Sequence, residues 1–81
     1  MLKVYGTWLC PDCRGAEYKL NEAGIEFEFV DIFNSTSNMK EFLKLRDNSP
    51  VFAEVREAGG IGILAFVADE QLTTLNINDI L

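Results

Sequence analysis

The spacing of apolar and polar positions changes period along this chain, and each change marks an element. Residues 2–6 (LKVYG) read as a short strand that runs straight into the segment TWLCPDCRGA. From Pro11 onward Cys13, Ala16, Leu20 and Ala23 recur at helical spacing and form one apolar stripe, which predicts a helix over residues 11–23. Pro11 at the first helical position and Gly24 just past the end bracket it. IEFEFVDIF (25–33) then alternates and is rich in Phe and Ile, as a strand would be. Strand, helix, strand in this order predicts a parallel pair joined by a right-handed crossover.

The next stretch, NSTSNMKEFLKL, offers Ser35, Thr36 or Ser37 as a cap, followed by Met39, Phe42 and Leu43 on one face. That predicts a second helix. RDNSPVFAEVREAGG can be read in two ways. Ser49–Pro50 resembles a helix start, Val51, Phe52, Val55 and Ala58 fall on one helical face, and Gly59 closes it. The competing reading makes VFAEV a strand behind a proline turn. The helix is favoured, because start, stripe and stop agree. IGILAFVA (61–68) reads as a buried strand, Asp69 and Glu70 turn the chain, and QLTTL returns as an edge strand. NINDIL suggests a terminal helical turn capped by Asn76 or Asn78. The sum is α/β: βαβ, a helix, ββ and a helical end, with a mixed four-stranded sheet flanked by helices.

Composition narrows what such a layer structure does. With 81 residues the chain has room for one domain, spanning 1–81. Its longest apolar run is too short to span a bilayer, and MLKVYG lacks the apolar core of a signal peptide, so the expected compartment is the cytoplasm, with no membrane partner. Net charge is −6, and the seven Lys and Arg are scattered among thirteen acids, so no clustered basic face offers itself to nucleic acid. There is no histidine, which removes Ser-His-Asp and Cys-His machinery.

What remains is the pair Cys10 and Cys13, and three chemistries compete for it. A closed zinc site wants four ligands from Cys, His or carboxylate, and one chain with two cysteines and no histidine cannot supply a thiolate or imidazole cage. A metal would need two chains or an outside thiol. A structural staple across so short a loop contributes only about 2 kcal/mol, and a cytosolic compartment keeps it reduced. A redox pair suits the position better. Cys10 falls at the helix N-cap ahead of Pro11, where unpaired N–H groups and the positive end of the helix dipole stabilise a thiolate, the attacking species in disulfide exchange. Cys13 lies on the inner side of the same turn. The outer cysteine attacks and the inner one resolves.

A strand running into CPDC at a helix start, followed by AEYKLNEAGIEFEFVDI, resembles the glutaredoxin family of the thioredoxin fold over roughly the first 33 residues. The resemblance implies a thioredoxin-like fold and dithiol–disulfide oxidoreductase activity, with Cys10 as nucleophile and Cys13 as resolving thiol. It implies no bound cofactor, glutathione or a flavoprotein reductase as electron donor, disulfide-containing proteins as partners, and a monomer. Two readings from other classes stand beside it. One is a glutathione-assisted or dimeric module holding an iron–sulfur cluster or zinc on Cys10. The other is a redox-inactive interaction domain.

The chain departs from the family pattern at several places. The cation usual three residues before the first cysteine is Thr7, which implies weak dependence on glutathione. Asp12 replaces the usual aromatic between the cysteines; a carboxylate suits a helix N-terminus yet repels a neighbouring thiolate. Arg14 either offsets that charge or is a solvated surface arginine. Trp8 either stacks over the site entrance or is a half-buried packing residue. The family's cis-proline has two candidate equivalents, Pro50 or the tripeptide GIL with Ile63 and Leu64. The second is preferred, and it places Leu64 beside the cysteines through a trans peptide bond, since cis before a non-proline residue costs about 2.5–4 kcal/mol. Tyr5, Phe27, Phe29, Phe42, Phe52 and Phe66 are expected in the core.

Overall fold

The structure, a computed structural model, describes residues 1–69 and 72–81. Strand β1 (Leu2–Gly6) leads to helix α1 (Pro11–Glu22), then β2 (Phe27–Asp31) and α2 (Thr36–Asn48). A 3-10 turn (Pro50–Phe52) runs into the short helix α3 (Ala53–Ala58), followed by β3 (Ala65–Asp69), β4 (Leu72–Thr74) and a last 3-10 turn (Ile77–Asp79). The sheet order is β2-β1-β3-β4. Strands β1 and β2 are parallel, Leu2 opposite Phe27 through Gly6 opposite Asp31. Strand β3 runs antiparallel to both β1 and β4, with Ala65 opposite Tyr5 and Phe66 opposite Thr74. The protein is therefore mixed α/β with a mixed four-stranded sheet. Among the described residues no helix is long and apolar enough to cross a membrane.

Alternation along the strands divides the core in two. Leu2, Val4 and Phe66 turn to one face and pack with Ala16 and Leu20 of α1. Tyr5, Val30, Ile32 and Ala65 turn to the other and pack with Phe42 of α2 and with Phe52. Helix α2 starts as its sequence predicts: Ser35 is the N-cap, and its hydroxyl accepts the Asn38 N–H at 3.1 Å. Asn76 caps the final turn in the same manner.

Several expectations need correction. Ala23 is exposed and caps α1 rather than extending its stripe, because the helix ends at Glu22. Phe27 and Phe29 are only part-buried, since β2 is an edge strand. Leu43 is exposed, and Phe42 is the buried residue of α2. Residues 50–58 are helical, not a strand, yet the turn that opens them is 3-10. Its tighter winding spoils the single stripe: Phe52 is fully buried while Val51 and Ala58 face solvent.

The largest difference concerns β3, which starts at Ala65 and not at residue 61. Gly62 has φ +97° and lies against the Phe52 ring, so a Cβ there would stand 2.8 Å from the ring. The chain bends over that ring and joins the ladder only where Ala65 meets Tyr5. The Ile63–Leu64 peptide bond is cis, where the sequence argument predicts trans; that argument counts a lone peptide bond and leaves out the packing around Leu64. The predicted turn at Asp69 and Glu70 and the start of QLTTL fall partly on residues 70 and 71, outside the described residues.

Candidate thiol site

Strand β1 ends at Gly6, and the chain then makes a turn held by Thr7. The Thr7 carbonyl accepts the Cys10 N–H at 3.1 Å, and its hydroxyl accepts the Leu9 N–H at 3.3 Å. This brings Cys10 to the N-cap of α1 in extended conformation (φ −98°, ψ 121°), with Pro11 opening the helix. The Cys10 side chain makes no capping bond, which leaves first-turn N–H groups and the dipole's positive end facing the sulfur.

Cys13 sits on the inner side of the same first turn and is only 1% exposed. Its own N–H donates to the Cys10 carbonyl at 3.1 Å, and its sulfur accepts the Thr7 N–H at 3.4 Å. The two thiols therefore share one turn and one backbone frame but not one environment. Cys10 is half-buried, Cys13 sealed, and both are free. Burial pushes the Cys13 thiol above its ordinary value. The Thr7 N–H pulls the other way, while the hydrogen-bonded Cys10 side chain and the Asp12 carboxylate add to the upward push.

The opposite wall of the site is Leu64. A Cβ on Gly6 would stand 2.7 Å from the Cys13 Sγ and 2.8 Å from the Leu64 Cδ2, so the sulfur and the methyl both crowd the space that this bare glycine leaves open. Beside them an open groove of about 440 Å³ runs between α1 and the start of β3, lined by Pro11, Asp12, Gly15, Lys19, Ile63 and Leu64 among others.

Of the residues singled out from sequence, the structure gathers Cys10, Cys13, Thr7, Pro11, Asp12, Ile63 and Leu64. Thr7 is 3% exposed and faces inward, so a lysine in its place would forfeit the bond to Leu9. Trp8 turns toward the sheet edge and stacks on Phe29, ring centroids 4.0 Å apart and planes 24° apart, while 37% of it stays exposed. Arg14 is exposed, and its side chain makes no ion pair among the described residues. Pro50 is exposed at the start of its 3-10 turn and is not the residue at the cysteines. Gly6 was missed by sequence reasoning; a glycine ending a strand immediately before a C-x-x-C segment was the available signal. Among the described residues no three His, Cys, Asp or Glu side chains gather closely enough to hold a metal ion. Cys10 and Cys13 thus have no third protein ligand among them.

The chain is similar to an uncharacterized protein of Haemophilus influenzae, 34% identical over 58 residues that cover 72% of this chain and 67% of that protein. No family model matches the chain, and no solved structure matches it significantly.

Proposed function

This chain belongs to one family with that uncharacterized Haemophilus influenzae protein, and we propose that it is a dithiol–disulfide oxidoreductase of glutaredoxin-like type, built on a thioredoxin-like fold and acting in the cytoplasm as a monomer. The strand order β2-β1-β3-β4, with α1 on one face and α2 on the other, supports the fold reading. One observation carries the activity: two free thiols in the first turn of one helix, the outer at the N-cap and accessible, the inner 1% exposed beneath it.

The division of labour follows from those positions. Cys10, as thiolate, attacks one sulfur of a protein or glutathione mixed disulfide. A Cys10–substrate disulfide forms, the substrate S–S bond breaks, and the leaving thiolate takes up a proton. Cys13 loses its proton and attacks the Cys10 sulfur, which closes the Cys10–Cys13 disulfide and releases the second substrate thiol. The substrate gains two electrons and two protons, and the protein dithiol loses them. Glutathione or a flavoprotein reductase returns them. The upward push that burial gives the Cys13 thiol suits a group that stays protonated while Cys10 makes the first attack. Thr7, buried and uncharged, supplies no cation for a glutathione carboxylate, so weak use of glutathione is part of this reading.

The test is the intact mass of the protein equilibrated across a graded glutathione redox buffer. Loss of about 2 Da in one transition, assigned to a Cys10–Cys13 bond, is the expected result. Persistence of both thiols across the whole range, or a visible cluster absorption in freshly purified protein, would overturn it.

A further inference from the structure

The wall that faces the cysteines belongs to no regular element. Residues 61–64 lie between the end of α3 and the start of β3, and Gly62 is bent over Phe52. Something must hold this segment at its entry, and the bonds at Gly60 identify it. The Gly60 N–H donates to the Val55 carbonyl at 2.9 Å, the end of α3. The Gly60 carbonyl accepts from Arg46 Nη2 at 2.6 Å. Arg46 stands in the last turn of α2, fourteen residues back, and its guanidinium passes beneath the Gly59–Gly60 corner.

Two further features tie this arginine to the corner. Its Nε is buried with no hydrogen-bond partner, and the neighbouring Asp47 carboxylate lies 3.9 Å from Nη1. A buried guanidinium nitrogen left unpaired is costly, so the short bond to Gly60 is the main polar compensation for burying the side chain. The Arg46 carbonyl in turn accepts from Arg56 Nη1 at 2.6 Å, which ties α3 to the end of α2 and fixes the frame from which the side chain reaches.

We propose that Arg46 is the positioning residue of the thiol site: through Gly60 it holds residues 61–64 so that Leu64 seals Cys13 against Gly6. It touches neither cysteine. The reaction it serves rests on the proposed oxidoreductase reading, but the sealing of Cys13 can be measured without any turnover.

The experiment is rapid alkylation of the reduced protein at one pH, with both cysteines followed by peptide mass. Variants are Arg46→Met, Arg46→Lys and, as a control, Ser35→Ala, which removes the N-cap at the far end of the same helix. Loss of a charged-donor hydrogen bond loosens a local closure by about tenfold. Arg46→Met should therefore raise Cys13 alkylation about tenfold while Cys10 stays within about twofold. Arg46→Lys, with charge but no planar fork, should fall between, at about threefold. Ser35→Ala should lower the melting temperature and leave the ratio of the two rates unchanged. A parental ratio in folded Arg46→Met overturns the proposal, and so does Ser35→Ala shifting the ratio as far as Arg46→Met does. If Arg46→Met does not fold, Arg46→Lys decides alone, a threefold rise supporting and a parental ratio overturning. A parent protein that seals Cys13 as described yet reduces no disulfide would end the oxidoreductase reading and leave the role of Arg46 intact.

Discussion

The two walls of the thiol site are made by different means. The cysteine wall, from Thr7 to the first turn of α1, is shaped by neighbours in sequence: the hydrogen bonds that link Thr7, Leu9, Cys10 and Cys13 join residues no more than six apart. The facing wall, residues 59–64, is held by groups from elsewhere: Arg46 from α2, Phe52 from the turn before α3, and Gly6 from β1. One wall follows from local backbone rules and carries both thiols. The other depends on tertiary contacts and decides how far the inner thiol is shut away.

The largest expected effects strike the cysteine wall. Cys10→Ser should lower disulfide exchange by about a thousandfold or more, as removal of a nucleophile does. Cys13→Ser should keep the first step and accumulate a mixed disulfide on Cys10, visible as an adduct in intact mass. Accumulation of the adduct on Cys13 in Cys10→Ser would reverse the two roles.

Breaking the facing wall should cost stability first. Phe52 is fully buried and supports Gly62, so Phe52→Ala should cost about 3–5 kcal/mol in denaturant unfolding. A domain of this size has a stability of about 4–12 kcal/mol in all, so the variant should be near its unfolding threshold. A loss below about 1 kcal/mol would mean that the ring is not the support described.

A pair of glycine substitutions sharpens the contrast. In Gly6→Ala the new methyl would lie 2.7 Å from the Cys13 sulfur and 2.8 Å from Leu64, an overpacking that should cost about 1–3 kcal/mol and open the seal on Cys13. Gly15 lies in α1, and a Cβ there meets nothing within 4 Å. Gly15→Ala should therefore stabilise by about 0.5–1 kcal/mol. Melting curves of the two variants should move in opposite directions. Equal shifts would deny that the two walls touch at Gly6.

The smallest effect is a pH dependence. Below the free-thiol pKa of about 8.5 Cys13 is neutral in folded and unfolded chains alike, and its contribution is fully present. As pH rises further, the unfolded thiol ionises while the buried one holds its proton, so stability falls until the folded thiol ionises too. The fall should set in as pH passes the free-thiol value of about 8.5. At higher pH, beyond the free tyrosine value of about 10, Tyr5, also pushed up by burial, acts in the same direction. Cys13→Ala should flatten the slope at its onset, and an unchanged slope would assign it elsewhere.

The same contrast explains what the sequence made legible. Cys10 at a helix start, Pro11 at its first position, Ser35 as a cap and Gly59 as a stop are local signals, and each element they mark is present. The helical reading of SPVFAEVREAGG rests on start, stripe and stop; the helix and its Gly59 stop are present, while the stripe is broken by the 3-10 turn that opens it. The run IGILAFVA misled because its hydrophobicity is uniform: nothing in it distinguishes four residues bent over Phe52 from four in a ladder, apart from Gly62. The bond from Arg46 to Gly60 leaves no local trace, since a surface helix and a buried latch both accept an arginine in the last turn. Gly6 gives only a weak local signal, because a strand-end glycine more often marks a turn than a close approach of two side chains.

The most direct test of an accessible attacking thiol over a sealed resolving one is the alkylation of the reduced parent protein, followed at each cysteine across pH 6 to 10, a span that brackets the free-thiol pKa of about 8.5. Cys10 should be modified first at every pH, with Cys13 lagging most where free thiols already react. Equal rates at the two sulfurs, or Cys13 ahead of Cys10, would contradict it.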